Sequence, residues 1–256
     1  MAKRIIVDAG HGGFDNGASF NGRLEKNDNL RLALQVGKDL ADMGYEVYYT
    51  RDDDTYQSPS AKAAIANEAG ADFFVSIHRN SSTEPNQYNG IQTLVFDDSG
   101  IKSQMATNVN QELAKLGFQN LGISVRPNLT VLRRTKMPAI LVEAGFINSD
   151  KDNALFDSKF NEVAQAIATG IDQTLTQNTT TYPSANYRVQ IGLFRNYGNA
   201  QYQLNKAQED GFSGYIVPSG PYYAVQVGDY SELDQAAAAA RQLRSMGYET
   251  LVVSTD

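Results

Sequence analysis

Two rhythms of apolar residues run along this chain, short unbroken apolar runs and longer stretches with a helical period, and their alternation predicts an α/β fold. Ile5 to Val7 has the pattern of a buried strand. The glycine-rich turn Ala9-Gly10-His11-Gly12-Gly13 follows it, then a loop with Asp15, Asn16 and Gly17. From Asn27 to Met43, Leu30, Ala33, Leu34, Gly37, Leu40 and Ala41 fall on one helical face, and Gly44 supplies the stop. Tyr45 to Thr50 alternates as a strand, and Ser58-Pro59 opens a helix that reaches Ala69 before Gly70. Asp72 to Ile77 and Ile91 to Phe96 read as further buried strands, the first ending at His78. A long amphipathic helix then carries Ile101, Met105, Val109 and Leu113. Ala139 to Val142 is another buried run, delivering Glu143 at its end, and a last helix aligns Phe160, Val163, Ala164, Ile167 and Ile171. The expected architecture is a twisted open β-sheet with helices on both faces.

The pattern changes after Thr176. Gln-Asn-Thr-Thr-Thr-Tyr-Pro-Ser-Ala is polar and aperiodic, as a short linker is. Beyond it the chain repeats: Tyr187, Val189, Gln190, Gly192, Phe194, Gly211 and Val217 recur 36 positions later as Tyr223, Val225, Gln226, Gly228, Tyr230, Gly247 and Val253. Each repeat reads strand, helix, strand. Two of them predict a small α+β domain of βαββαβ, ferredoxin-like type, with a four-stranded sheet backed by two helices. The expected division is a first domain over 1–176, a linker over 177–186 and a second domain over 187–256.

Composition narrows the classes. Apolar residues at 41% and charged residues at 20% are those of an ordinary globular protein. The apolar runs are too short to cross a bilayer as helices, so no membrane insertion is expected. Met1-Ala2-Lys3-Arg4 runs straight into the first strand and leaves no room for a secretory signal peptide; the expectation is synthesis in the cytoplasm. A net charge of −7 argues against nucleic acid as a general partner. The absence of cysteine excludes thiolate metal sites and a thiol nucleophile.

The chain holds two histidines, His11 and His78, each expected just past the end of a buried strand, the edge where sites assemble in open α/β sheets. A hydrogen-bonded turn residue is the plain alternative for either one alone. Glu25, expected just ahead of the first helix, is either a helix-entry charge or a third member of the set; two imidazoles and a carboxylate are the ligands of a catalytic zinc with one position open. Glu143, at the end of an apolar run, is either a salt-bridge partner of Arg51, Arg79 or Arg134 or a general base and acid beside the metal. The glycine-rich turn lacks the spacing and the Gly-Lys-Ser/Thr ending of a phosphate loop, and no Gly-x-Ser-x-Gly elbow occurs.

Several motifs, in order, carry a family resemblance: Ile6 to Gly13, Glu25-Lys26, Tyr49 to Asp54, Val75 to His78, and Leu141 to Asn148. Over residues 4 to about 175 the chain resembles the N-acetylmuramoyl-L-alanine amidases of the Amidase_3 type. The resemblance implies a zinc hydrolase of peptidoglycan that cuts the amide between N-acetylmuramic acid and L-alanine. His11, Glu25 and His78 match the family's zinc ligands and Glu143 its catalytic glutamate. The chain departs from the common pattern at Ala9 and at Arg79-Asn80-Ser81; for Arg79 the expectation is an altered substrate preference with the metal site untouched. The tail resembles a SPOR domain through Gln190 to Phe194 and Gln226 to Tyr230, which implies binding to glycan strands of peptidoglycan. Tyr187, Phe194, Tyr222, Tyr223 and Tyr230 are either stacking faces for sugars or core. A phage lysin released by a holin, a mother-cell autolysin of sporulation, and export by another route all fit these features. An inactive cell-wall-binding protein is the alternative to an enzyme.

Overall fold

The first apolar run forms β1 (Arg4–Ala9) in a computed structural model that describes residues 2–177 and 187–255. A two-stranded hairpin, β2 (Ser19–Phe20) and β3 (Arg23–Leu24), leads into α1 (Glu25–Asp42), then β4 (Glu46–Tyr49) and α2 (Pro59–Glu68). Ser58 caps α2 as expected, its hydroxyl accepting from the Ala61 amide, with Pro59 in the first turn. There follow β5 (Phe73–Asn80), β6 (Ile91–Val95), α3 (Gly100–Lys115), β7 (Asn120–Val125), α4 (Thr130–Arg134), β8 (Ala139–Phe146), α5 (Asp150–Ser158) and α6 (Phe160–Gln177).

The six long strands make one sheet in the order β4-β1-β5-β8-β6-β7, parallel except where β6 runs against β8. The chain leaves β1 toward β4 on one side and returns to β5 on the other, so the connections diverge at the carboxyl end of β1, a position where an open α/β sheet leaves a crevice. Strand alternation assigns the faces. Ile5, Val7, Phe73, Val75, Ile77, Ile140 and Val142 pack under α1, α3 and α6, whereas Ile6, Phe74, Leu94 and Leu141 pack under α2 and α4. Helices thus cover both faces.

The chain divides into two compact units, Met1–Asn178 and Thr179–Asp256. Of the linker expected at 177–186, residues 178–186 lie outside the described residues. The second unit comprises β9 (Tyr187–Phe194), α7 (Tyr197–Glu209), β10 (Gly214–Ser219), β11 (Tyr222–Tyr230), α8 (Leu233–Ser245) and β12 (Leu251–Ser254). Its antiparallel sheet has the order β10-β11-β9-β12, the βαββαβ arrangement expected from the repeat. The equivalent strands of the two repeats are the central pair, and Gln190 faces Gln226 across them. In each repeat an aromatic ring lies over a glycine: a Cβ on Gly192 would come within 2.3 Å of the Phe194 ring, and one on Gly228 within 2.3 Å of Tyr230. Tyr223 is buried in the core, and Tyr187, Phe194 and Tyr230 pack partly against it.

Candidate metal centre and active site

Alternation along β5 decides what each residue of its carboxyl end does. Val75 and Ile77 point toward α1, so His78 emerges on the opposite face and Arg79 turns back toward α1. Glu143 stands beside His78 as its register partner on β8, on the same face. Both lie inside strands that run on to Asn80 and Phe146, instead of just past strand ends, because the backbone pairing continues to Asn80 and Phe146. His11 follows β1 in the left-handed region, at φ 60, which aims its ring back over the sheet edge. Glu25 is the first residue of α1, with Leu24 as the N-cap, so it sits inside the helix start.

These elements bring His11, Glu25 and His78 together, with a ligand atom from each within 4.8 Å of the others. His11 Nε2 lies 3.2 Å from Glu25 Oε2, and His78 Nδ1 lies 3.0 Å from Glu25 Oε1. The two imidazoles meet edge to face at 5.0 Å. Gly10 is required by closeness: a Cβ there would stand 2.3 to 2.7 Å from the His78 ring. The donor set of two imidazole nitrogens and one carboxylate oxygen, gathered at one point, fits a divalent zinc-type ion with a coordination position left over.

A surrounding layer fixes the three. Asp15 Oδ2 is 2.9 Å from His11 Nδ1, which leaves Nε2 directed at Glu25. Glu25 accepts from the amides of Ala18 and Arg79 and from Asn29 Nδ2, and Asn29 also donates to the Gly10 carbonyl. Arg51 rivets the glycine-rich turn from below, donating to the carbonyls of Ala9, Gly10 and Lys26. Beneath it Asp8 is buried, accepting from Thr50 Oγ1, Lys62 Nζ and Ser76 Oγ at 2.6, 2.7 and 2.6 Å. Asp15 was visible in the sequence as a loop acid four positions after His11. Asp8 lies in the Ile6 to Gly13 motif, but its partners Thr50, Lys62 and Ser76 are distant in the chain, and Asn29 shows its part only once α1 sets it one turn after Glu25 and under the Gly10 carbonyl.

Electrostatics follow from this packing. Burial opposes the charge of Glu25, but His11 and His78 hold its carboxyl well below the usual range. Burial likewise works against a charged His11, yet Glu25 and then Asp15 raise it to about 9. Burial pushes the Glu143 carboxyl up to about 7, despite the lowering influence of His78. Glu143 Oε2 is enclosed without a hydrogen-bond partner. The three arginines weighed as its partners are engaged elsewhere: Arg51 on backbone carbonyls, Arg134 on Ser60, and Arg79 on Asp28 at 2.7 Å and Asn153 at 2.7 Å. Arg79 is 2% exposed and lies over the Phe156 ring at 4.0 Å. It therefore braces α1, β8 and α5, and the expectation that it alters substrate preference is corrected: its side chain faces the core side of β5, not the cleft.

The cleft over these groups has a volume of about 250 Å³ and is bordered by Asp8, His11, Asp15, Gln57, His78 and Leu129. Residues 5–173 match the N-acetylmuramoyl-L-alanine amidase model of the Amidase_3 family. The chain belongs to that family. Residues 183–254 match the SPOR domain. The chain is 34% identical over 220 residues to the sporulation-specific N-acetylmuramoyl-L-alanine amidase of Bacillus subtilis (strain 168), covering 84% of each. It is 36% identical over 183 residues to the endolysin of Bacillus phage SPP1, covering 68% of this chain and 67% of that one. Among solved structures it resembles the catalytic domain of CwlV, the N-acetylmuramoyl-L-alanine amidase of Bacillus (Paenibacillus) polymyxa var. colistinus, at 37% identity and a TM-score of 0.63. That match covers 68% of this chain and 98% of the other. The amidase thus acts on peptidoglycan, and its SPOR domain makes peptidoglycan a binding target as well. Among the described residues no helix is long and apolar enough to cross a membrane.

Proposed function

We propose that His11, Glu25 and His78 hold a catalytic zinc ion and that Glu143 is the general base and acid of amide hydrolysis between N-acetylmuramic acid and L-alanine. The observation that carries this reading is the convergence of the three ligand atoms within 4.8 Å, with Glu143 as the register neighbour of His78. Zinc, when bound, supplies Lewis acidity toward the scissile carbonyl and makes an attacking water more acidic. Glu143 takes the proton from the attacking water and returns it to the departing L-alanine nitrogen, a task suited to a carboxyl raised toward neutrality. Asp15, Asn29 and Arg51 keep the ligands oriented and contribute no proton. The same reading assigns catalysis to 1–176, a linker to 177–186 and glycan binding to 187–256, with the cell wall as the place of action.

Metal content and product masses from one preparation test it, wild type beside His78→Ala. About one zinc per chain, lost in the variant, together with new L-alanine amino termini only from wild type, is the expected result. Zinc bound without release of those termini would leave a wall-binding protein, and no zinc at all would remove the mechanism.

A further inference from the structure

Phe14 and Tyr56 are 80% and 39% exposed, and their rings stack on each other with centroids 4.1 Å apart and planes at 33°. Each adjoins a residue that borders the catalytic cleft, Phe14 next to Asp15 and Tyr56 next to Gln57. Single exposed aromatics need no explanation. A stacked pair held by a dedicated brace does. The Gly13 amide donates to Asp54 Oδ1 at 2.9 Å, and the nearly buried Lys26 ammonium donates to both Gly13 O and Asp54 Oδ2 at 2.7 Å. Gly13 adopts φ 57, and a Cβ there would lie 2.8 Å from the Tyr56 amide nitrogen, so the two loops meet only because this position is glycine. The rings are thus set in place before any ligand arrives, on loops that also carry His11 and the cleft wall.

The chemistry of the occupant follows from the family's substrate. On the acyl side of the scissile amide lies a polysaccharide, whose pyranose rings present flat faces of C–H groups to an aromatic surface; on the other side lies a peptide that offers no such planes. We infer that the Phe14–Tyr56 pair is a stacking platform for a sugar of the glycan strand flanking the muramoyl residue. It makes the enzyme prefer longer glycans over single-sugar muropeptides. This rests on the amidase reading above.

The test compares the full-length chain with the double variant Phe14→Ala/Tyr56→Ala on two substrates bearing the same peptide, one with a single muramoyl sugar and one with a tetrasaccharide. Wild type is expected to prefer the tetrasaccharide, and the double variant to lose about five- to tenfold of that preference through KM, with kcat little moved. Phe14→Tyr is expected to keep the preference and Phe14→Leu, apolar but without a ring face, to lose it. An equal loss on both substrates, a retained preference in the double variant, or full function with Leu overturns the platform. If wild type cleaves neither substrate, the amidase reading fails on its own. The platform is then judged by tetrasaccharide binding to the same two proteins: several-fold weaker binding by the double variant supports it, and equal affinity overturns it.

Discussion

Asp8 is a buried carboxylate with three donors around it, so its protonation is tied to folding. Burial alone would raise its pKa, but Lys62 and then the hydroxyls of Ser76 and Thr50 outweigh burial and leave it below the ordinary value. A depressed carboxylate adds stability that is present above its unfolded pKa of about 3.9 and is lost as pH falls through the folded value. Asp8→Asn leaves the Lys62 ammonium buried without a counter-charge and is expected to cost about 3 kcal/mol near pH 7. Chemical denaturation at neutral and acid pH checks this, the gap from wild type narrowing below about pH 4. A gap independent of pH would mean that Asp8 is not the group that titrates. Two site residues separate orientation from chemistry. Glu143→Gln, close in shape but unable to take a proton, is expected to lower kcat by about 10³-fold with zinc content unchanged. Asp15→Ala is expected to weaken zinc affinity by about tenfold or more, because His11 loses the partner that fixes its ring. Competition with a calibrated chelator separates the two.

The elements explain why much of this site was legible in the sequence and where legibility stopped. The apolar runs mark β1, β5 and β8, but which face each side chain takes comes from the strand packing, with His78 and Glu143 on one face and Arg79 on the other. The candidate ligands stand out in the sequence as a histidine pair expected at two strand ends and a carboxylate near a helix start, all local patterns. The short or half-exposed β7 and the brief α4 and α5 gave no comparable period, since neither an apolar stripe nor a strict alternation covers so few positions. An arginine next to a candidate ligand histidine looks like a substrate contact until its side of the strand is known, and Arg79 is on the side away from the cleft. Its hydrogen bonds to Asp28, Asn153 and the Gly145 and Phe146 carbonyls make it a strut between α1 and the β8–α5 turn. Arg79→Lys keeps the charge but not the planar fork, and is expected to destabilise by about 2 kcal/mol while the ranking of muropeptide substrates stays as in wild type. Thermal melts and kcat/KM ratios on two stem peptides check both halves. A changed ranking would return Arg79 to the substrate.

At the scale of the molecule, the two units have separate hydrophobic cores: every residue of the amidase core lies before Asn178, and the core of the second unit is drawn from Tyr187 onward. Neither unit therefore needs the other to bury its apolar surface, and a chain ending at Asn178 is expected to fold and to keep the metal site intact. On the reading proposed above, the second unit adds residence on an insoluble polymer. Tethering a catalytic unit to the wall raises its local concentration around scissile amides that are fixed in place, an advantage that disappears when the substrate diffuses freely. The truncated chain is accordingly expected to hydrolyse soluble muropeptides within about twofold of the full chain, and to release amino groups from intact peptidoglycan at least about tenfold more slowly. Cosedimentation with the same peptidoglycan should fall in parallel. Equal losses on soluble and insoluble substrates would instead mean that the second unit supports the fold or the site of the first. Unaltered hydrolysis of intact peptidoglycan would mean that the amidase unit finds its substrate without a tether, with the cleft and its rim supplying the affinity.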